Sequence, residues 1–325
     1  MCARFYRDET SKVQASMRKI GFIGIGVMGQ PMAANLLEAG FDLVVWNRSP
    51  DRCAPLQERG ATVARSVRQL FEVSEIVILM LASSNAMDEV LERGTPRFSD
   101  LVRNRAVVHM GTTSPGYSEA LAAEVRAAGG FYVECPVSGS RKPAEAGLLV
   151  GMLAGDHEKV PELRATLTPM CQQLFVCGEV PSALLMKLSV NLFLITMVTG
   201  LCEAYHFAET HSLDVRLLQS VLDAGPMASS VSKTKLSKLV EQDFSVQASI
   251  VDVLKNAKLV SDASARAQIS SPLIDRCVDL YRETADHGGG GLDMAGVVRT
   301  LEDRTALKRA KSTDGSVTDT PSSGT

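Results

Sequence analysis

Short apolar runs alternate with segments of helical spacing over residues 19–160, and each run is about the length of one strand. The runs are Ile20 to Ile25, Leu43 to Trp46, Ile76 to Leu81, Ala106 to Met110, and Phe131 to Glu134. Runs without polar interruptions are typical of strands that are buried on both faces of a sheet. The pattern therefore predicts a doubly wound α/β domain with a mostly parallel sheet.

The pattern changes near Pro181, because no strand-like run follows it. A long, largely apolar helix is predicted from Ser182 to Thr210. Later helices are predicted at Val215 to Leu222, Val231 to Lys238, Gln247 to Ala265, Pro272 to Ala285, and Met294 to Leu301. The long helix is apolar almost all round, which predicts burial on every side. A small helical domain rarely buries so much surface alone, so we expect a homodimer or a higher homo-oligomer to cover part of it.

These patterns divide the 325 residues into four parts. Residues 1–18 form a polar extension, residues 19–180 the α/β domain, and residues 181–307 an all-α domain. From Lys308 onward the chain is rich in serine, threonine, aspartate and glycine and has no periodicity. This composition predicts a disordered tail over residues 308–325.

Charge and cysteine content narrow the classes of function. The net charge of −3 gives no electrostatic basis for binding nucleic acid or an anionic membrane. The seven cysteines are scattered without a C-x-x-C pair or a zinc-like spacing, so no metal site is predicted. Reduced thiols and the lack of a secretory signal predict a cytoplasmic protein, with translation starting at Met1 or Met17. The apolar stretch Leu188 to Leu201 is too short to span a membrane.

A glycine-rich turn follows the first apolar run. Gly24, Gly26 and Gly29 form the pattern G-x-G-x-x-G, in which Val27 and Met28 separate the last two glycines. Between a strand and a helix, this pattern is typical of a Rossmann-like dinucleotide site: it permits a tight turn, close approach of a pyrophosphate, and close helix packing. The helix N-terminus then faces the phosphates. The alternative is a turn with a structural role only.

The end of the second run predicts which nicotinamide cofactor is preferred. Asn47, Arg48 and Ser49 stand there, where NAD-type sites carry an acidic residue about 20 residues after the glycines. A guanidinium can bind a ribose 2′-phosphate through paired hydrogen bonds, whereas a carboxylate would repel it. The sequence therefore favours NADP(H) over NAD(H), unless Arg48 is a solvated surface arginine.

Two further strand ends carry candidate binding residues. Leu81 and Ala82 end the third run, at the edge where ligands bind in open α/β sheets. After the fifth run, the loop Ser138-Gly139-Ser140 offers backbone N–H groups and hydroxyls with little bulk, which suits a carboxylate. An ordinary polar turn would have the same composition.

Lys187 and Asn191 lie one turn apart in the long apolar helix, so they share one face of it. A lysine in such surroundings is costly unless it points into a cleft, and burial would lower its pKa and permit proton exchange near neutral pH. The alternative is a lysine that extends to solvent from the helix start. In a later helix, Asp252 and Lys255 have the spacing of a surface ion pair.

Taken together, these motifs resemble the β-hydroxyacid dehydrogenase family, which includes 3-hydroxyisobutyrate, tartronate-semialdehyde, L-threonate and glyoxylate-type dehydrogenases. The resemblance covers residues 19–305. The motifs are Gly24-x-Gly26-x-Met28-Gly29-x-x-Met32-Ala33-x-Asn35-Leu36, Pro136-Val137-Ser138-Gly139, Lys187-x-x-x-Asn191, and Gly291-Leu292-Asp293-Met294-Ala295.

The resemblance implies a role for each motif. Lys187 would be the catalytic acid/base, Asn191 would orient the substrate, and Lys255 would help to line the substrate site. The loop of Ser138, Gly139 and Ser140 would hold the substrate carboxylate, and Thr112 would contact the nicotinamide side of the cofactor. The implied fold is a Rossmann-like domain followed by a helical domain that dimerises.

Some positions depart from the family pattern. Residues 178–183 are not glycine-rich, Gly111 replaces a serine, and Glu134 and Ser140 stand where aspartate and glycine are common. Lys255 is displaced by three residues from the family's late lysine. These departures concern the substrate contacts more than the reaction.

The sequence therefore predicts an NADP(H)-preferring oxidoreductase that transfers a hydride between the nicotinamide and a small β-hydroxy acid or its carbonyl form. One alternative is an imine reductase or reductive aminase, although these enzymes typically carry aspartate or tyrosine where this chain has Lys187. The other is a non-catalytic NADP-binding module, as in some chromatin-associated proteins, where the lysine is often lost.

Overall fold

The computed structural model describes residues 19–156 and 158–314. The chain forms two compact units that divide between Val190 and Asn191. The predicted boundary after residue 180 lies earlier than this division, which falls inside a helix. The predicted extension 1–18, the alternative start Met17 and residues 315–325 of the predicted tail lie outside the described residues.

A nine-stranded sheet forms the centre of the first unit. Its strands are β1 (Lys19–Ile23), β2 (Asp42–Trp46), β3 (Thr62–Val63), β4 (Ile76–Leu79), β5 (Ala106–His109), β6 (Phe131–Glu134), β7 (Val137–Ser138), β8 (Leu149–Gly155) and β9 (Cys171–Gly178). The order is β3-β2-β1-β4-β5-β6-β8-β7, with β9 paired to β8. Strands β1 to β6 are parallel, and β8 runs antiparallel to β6 and β7. The prediction of a doubly wound, mostly parallel sheet is confirmed.

Helices of the first unit connect these strands. They are α1 (Gly29–Glu38), α2 (Ala54–Gln57), α3 (Val67–Val73), α4 (Ser84–Val90), α5 (Arg97–Val102), α6 (Pro115–Ala127), α7 (Arg141–Glu145) and α8 (Val160–Leu167). Alternate residues of the central strands enter two separate apolar cores: Ile76 and Ile78 enter one, Val77 and Leu79 the other. Because both faces are buried, the strands read as continuous apolar runs in the sequence.

The second unit is all-α within the described residues. Helix α9 (Ser182–Thr210) begins in the first unit and continues into the second. The other helices are α10 (Val215–Ala224), α11 (Ser230–Val240), α12 (Ile250–Arg266), α13 (Pro272–Asp286) and α14 (Val298–Asp314). Asp293, in the late family-like motif, is fully buried; it accepts a 2.8 Å hydrogen bond from Lys235 Nζ and others from Gln247 N and Ala248 N. This motif therefore holds the helical unit together.

One prediction about the helices is wrong, and burial of α9 on every side stays a prediction because a second subunit is expected to cover part of it. Helix α9 is not buried on every side in the single chain, because Leu185, Met186, Phe193 and Phe207 are 46–68% exposed. Residues 308–314 continue α14 and do not belong to a disordered tail. Lysine, arginine and alanine are good helix formers, and Lys308, Arg309, Ala310 and Lys311 continue the helix.

Helix α9 is the one helix of the described residues that is long and apolar enough to cross a membrane, by length and composition alone. A core helix of a soluble protein passes the same test, so a single such helix is weak evidence of a span. Lys187 and Asn191 lie within it and are buried.

Candidate active site

The predicted cofactor residues of the first unit gather at one edge of the sheet. Strands β1, β2, β4 and β5 are parallel neighbours, so their carboxyl ends meet there. The glycine turn follows β1, Arg48 follows β2, Leu81 and Ala82 follow β4, and Thr112 follows β5. The chain leaves β1 toward β2 on one side and later returns to β4 on the other. Ligands bind at such a reversal of strand order in open α/β sheets.

The three glycines of the turn differ in what surrounds them. Gly24 has a positive φ of 100°, and a Cβ added there would clash with the backbone carbonyl of Met80. At Gly29 a side chain would clash with the carbonyl of Gly24, so both glycines are required by the fold itself. A Cβ on Gly26 would meet no described protein atom within 4 Å. The protein alone therefore gives no reason for glycine at residue 26, whereas a bound ligand would.

The N-terminus of α1 has no side-chain cap and no acidic residue in its first turn. Pro31 has no N–H and Gln30 N donates to Gly26 O at 3.0 Å, so what α1 offers an anion is chiefly the positive end of its helix dipole. Together with the open space at Gly26, this arrangement fits the pyrophosphate of a dinucleotide.

Asn47 and Arg48 have different environments at the end of β2. Asn47 Oδ1 accepts a 3.0 Å hydrogen bond from Ile25 N, and Asn47 Nδ2 donates to Ser49 O at 3.0 Å. Asn47 thus fixes the glycine turn to the end of β2. Arg48 is exposed and forms no hydrogen bond or ion pair with any residue that the structure describes. Its guanidinium is therefore available to a ligand.

Gly111 explains one departure from the family pattern. A Cβ at this residue would lie 2.6 Å from the carbonyl oxygen of Leu81, so the two strand ends approach too closely for a side chain. Thr112 is half-buried directly after it.

The loop of Ser138, Gly139 and Ser140 connects β7 to α7, with Gly139 exposed at its centre. Gly139 has a φ of 134°, and a Cβ there would lie 2.6 Å from Leu149 Cδ2, so the loop needs glycine. Buried Asn35, a residue of the first family-like motif, donates to Ala144 O at 2.7 Å. This bond fixes α7, which follows the loop, to the helix of the glycine turn.

Lys187 lies in the second turn of α9 and is 8% exposed. Its ammonium forms no hydrogen bond or ion pair within the described part of the chain. Desolvation by burial lowers the pKa of Lys187 to about 8. At 8% exposure the side chain does not extend into solvent in the single chain.

Asn191 and Lys255 belong to the second unit. Asn191 is 4% exposed and donates to Asn256 Oδ1 at 3.1 Å. Lys255 is partly buried; desolvation lowers its pKa, and the charge of Asp252 partly opposes that effect. Asp252 itself accepts a 2.6 Å hydrogen bond from Ser249 Oγ at the start of α12.

Glu134 is a residue whose role the sequence does not reveal. It ends β6 with no exposed surface, and its Oε2 accepts a 3.2 Å hydrogen bond from Leu184 N in the first turn of α9. The two residues are 50 positions apart. A carboxylate at the end of an apolar strand, just before the Pro-Val-Ser-Gly motif, was the only sequence signal.

One group in the described residues has the geometry to hold a metal ion, although the sequence predicts none. A ring nitrogen of His206 and carboxylate oxygens of Glu209 and Glu302 lie within 4.8 Å of one another. His206 Nε2 is hydrogen bonded to Thr305 Oγ1 at 2.8 Å, and Glu209 is exposed. None of these residues belongs to the predicted site.

Two family models match the chain, one after the other. Residues 19–178 match the NAD-binding domain of 6-phosphogluconate dehydrogenase, and residues 182–301 match the NAD-binding domain of NADP-dependent 3-hydroxyisobutyrate dehydrogenase. The chain belongs to the β-hydroxyacid dehydrogenase family. It is an NAD(P)-dependent oxidoreductase of the hydroxyacid dehydrogenase type, as the sequence predicts.

Named relatives agree with this family. Glyoxylate/succinic semialdehyde reductase 2 of Arabidopsis thaliana is 28% identical, over 94% of this chain and 82% of its own length. The mitochondrial 3-hydroxyisobutyrate dehydrogenase of Mus musculus is 31% identical, over 66% of this chain and 64% of its own. A Mycobacterium tuberculosis 3-hydroxyisobutyrate dehydrogenase structure with L-serine is 25% identical, covers 88% of this chain and 99% of its own, and has a TM-score of 0.79.

Imine reductases share the fold at a greater distance. A structure from Pseudomonas sp. is 23% identical, covers 87% of this chain and 99% of its own, and has a TM-score of 0.57. This likeness shows the fold alone, and the hydroxyacid dehydrogenase interpretation fits the comparisons better.

Proposed function

We propose that the protein interconverts a small, carboxylate-bearing hydroxy acid and its carbonyl form, with NADP(H) as the preferred cofactor and Lys187 as the acid/base. The observation that carries the proposal is the buried Lys187, whose pKa of about 8 allows both protonation states near neutral pH. The relatives' names support the substrate class, because glyoxylate, succinic semialdehyde and 3-hydroxyisobutyrate all carry a carboxylate.

The cofactor would be held by the glycine turn and the N-terminus of α1, with Arg48 at its 2′-phosphate and Thr112 near its nicotinamide. A bound nicotinamide supplies the hydride exchange. Leu81 and Ala82, at the end of β4, would flank it.

The protein's own residues would move the proton and orient the substrate. In reduction, the protonated ammonium of Lys187 donates to the developing alkoxide, and in oxidation the neutral amine accepts the hydroxyl proton. The loop of Ser138, Gly139 and Ser140 would hold the substrate carboxylate through N–H and hydroxyl groups. Asn191 would orient the substrate, and Lys255 would line the site beside it.

We expect kcat to depend on pH in opposite senses in the two directions. Reduction needs protonated Lys187, so its kcat should fall about tenfold per pH unit above a pKa of about 8. Oxidation needs the neutral amine, so its kcat should rise up to the same pKa and then level off. Steady-state kcat in both directions, in one constant-ionic-strength buffer series, measures this dependence. Two profiles that bend in the same direction near pH 8 would identify a different titrating group.

The cofactor preference is tested at Arg48. Arg48→Asp should lower kcat/KM for NADP about 10–100-fold and raise the relative value for NAD, because a charge-assisted hydrogen bond to phosphate is lost and repulsion replaces it. Arg52→Asp, an exposed arginine in the following turn, is the matched control and should leave the ratio unchanged. If the wild-type enzyme already has a higher kcat/KM with NAD, the role of Arg48 is wrong.

We also propose a homodimer or higher homo-oligomer, supported by apolar side chains that are exposed on α9 and α10 of the single chain, such as Phe193 at 68% and Val221 at 61%. A cytoplasmic location fits the six described cysteines, which are all free. No nucleic-acid or membrane partner is proposed, in keeping with the net charge of −3.

A substrate screen separates this function from its alternatives. The screen pairs NADP and NAD with 3-hydroxyisobutyrate, threonate, glycerate, 4-hydroxybutyrate and their carbonyl forms. NADPH binding without turnover of any of these compounds would favour the non-catalytic module. Reduction of cyclic imines in preference to carbonyl acids would favour an imine reductase.

A further inference from the structure

The buried carboxyl of Glu134 holds the first turn of α9. Its Oε2 accepts a hydrogen bond from Leu184 N at 3.2 Å, and the neighbouring N–H of Ala183 also favours the charged carboxylate. First-turn N–H groups have no partner within their own helix and carry the positive end of the helix dipole. A carboxylate is therefore a strong ligand for this end of α9.

Glu134 is also close in the chain or in space to the two segments that carry the proposed chemistry, the start of α9 and the loop that begins at Ser138. Lys187 follows Leu184 by three residues, which is about one turn of α9. Ser138, the first residue of the proposed carboxylate loop, follows Glu134 by four residues. One side chain thus connects the strand that leads into the substrate loop with the helix turn that precedes the lysine.

We propose that Glu134 is a positioning residue, whose carboxylate fixes the first turn of α9 to the end of β6 and thereby sets the place of Lys187 relative to the loop Ser138–Ser140. This inference rests on the proposed function of Lys187. Glu134 acts through the helix backbone and takes no part in the proton transfer.

The surroundings of Glu134 make its charge sensitive to pH. Desolvation raises the pKa of Glu134 to about 7, whereas nearby Ser118 and the N–H groups of Leu184 and Ala183 act in the opposite direction. The charged or titratable groups that face it are Glu119 and, through Ser118, Tyr132 and His109. From β9, Cys177 faces it as well, and the charge of Glu134 contributes to a raised pKa of that thiol.

The ionised form binds the two N–H groups more strongly than the neutral form does, because charge-assisted hydrogen bonds are the stronger kind. We therefore expect the first turn of α9 to be held more firmly as the pH rises through about 7. Activity that depends on Lys187 should then decline below this pH, in addition to the effect of Lys187 itself.

The effect of Glu134 on the free energy of unfolding should have the opposite pH dependence to its effect on the contact with α9. The unfolded chain releases this proton near its ordinary pKa of 4.5, whereas the folded chain keeps it up to about 7. Between these pH values the folded state binds more protons, so stability falls as the pH rises. The charge of Glu134 is thus unfavourable for stability above pH 7, although it strengthens the contact with α9.

The test is the variant Glu134→Gln, which keeps the shape and one acceptor but cannot be charged. At about pH 8 we expect its Tm to rise and its kcat to fall about tenfold, with an unchanged KM for NADPH, because a misplaced acid/base slows the chemical step. At about pH 5 its Tm should match that of the wild type. The decline of kcat below pH 7 should disappear, whereas the break near pH 8 from Lys187 should remain.

Two further variants make the test decisive. Glu134→Asp, which keeps the charge on a shorter side chain, should retain the decline of kcat below pH 7. Glu89→Gln, an exposed acidic residue on α4 that does not face Glu134, is the matched control and should change neither Tm nor kcat. A Tm that falls together with kcat at both pH values would show that Glu134 only stabilises the fold, and an unchanged kcat would overturn the proposal.

Hydrogen exchange separates this proposal from the proposed function. Without substrate, the amides of residues 183–187 should exchange faster in Glu134→Gln than in the wild type at pH 8. If these amides exchange faster in the variant while the wild type converts no hydroxy acid, Glu134 holds the first turn of α9 and the proposed function is wrong. If exchange is the same in both proteins, Glu134 does not hold α9.

Discussion

Replacing Lys187 with methionine is expected to lower kcat by about 10²–10⁴-fold, the usual contribution of a general acid/base. Methionine keeps the length of the side chain but cannot exchange a proton. Since Lys187 is not placed at the cofactor turn, the dissociation constant for NADPH should be unchanged. Stopped-flow or steady-state rates with saturating substrate, together with NADPH fluorescence titration, measure the two quantities.

The same variant should be more stable than the wild type. The folded pKa of Lys187 is about 8 and its ordinary value is 10.5, so the unfolded chain binds more protons between these pH values. Stability of the wild type therefore rises with pH through this window, and the lysine destabilises the fold at pH 7. Removing it should add up to about 3 kcal/mol to the free energy of unfolding.

Lys258→Met, at an exposed position of α12, is the matched control and should change neither rate nor stability. Substantial turnover by Lys187→Met at neutral pH would exclude Lys187 as the acid/base. If Lys187→Met is less stable than the wild type, Lys187 has a structural partner instead.

Replacing Gly26 with valine is expected to weaken NADPH binding on the order of 100-fold without unfolding the protein. No described protein atom lies within 4 Å of a Cβ at this residue, and its φ lies outside the left-handed region. The new side chain would therefore enter only the space assigned to the pyrophosphate. Equilibrium titration with NADPH and thermal unfolding without cofactor measure the two effects separately.

Two other glycines are the controls for this experiment. Gly29→Ala should lower the Tm of the protein without cofactor, because its Cβ would clash with the Gly24 carbonyl. Gly200→Ala, at an open position of α9, should leave both Tm and NADPH affinity unchanged or slightly raise Tm. Undiminished NADPH binding by Gly26→Val would place the cofactor elsewhere.

Much of the fold could be predicted because its signals are local. Strand β6 and helix α9 have the predicted bounds, since an uninterrupted apolar run and a sustained helical pattern each specify one element. Strands β8 and β9 were not assigned, because glycines at residues 151, 155 and 178 interrupt or end their apolar runs. Their pairing with each other and with β6 depends on residues distant in sequence.

The candidate site shows the same limit. Gly24, Arg48 and Lys187 could be singled out from motif and spacing, and the structure gives each an environment that suits its predicted role. The bond between Asn35 and Ala144 joins residues 109 positions apart, and that between Glu134 and Leu184 joins residues 50 apart. No spacing rule reaches so far along a chain. Exposure of Phe193 was likewise unpredictable, because apolar composition does not state what covers a side chain.

The course of helix α9 through both units affects how the two units could be recombined with those of other proteins. The division between the two units falls inside this helix, after Val190. A recombination event at the end of β9 would give the whole helix, with the N–H donor of Leu184 that contacts buried Glu134, to the second module. Lys187 would leave the first module in the same step. A substitute second module would therefore have to supply both a first helical turn that fits the end of β6 and a lysine in the second turn.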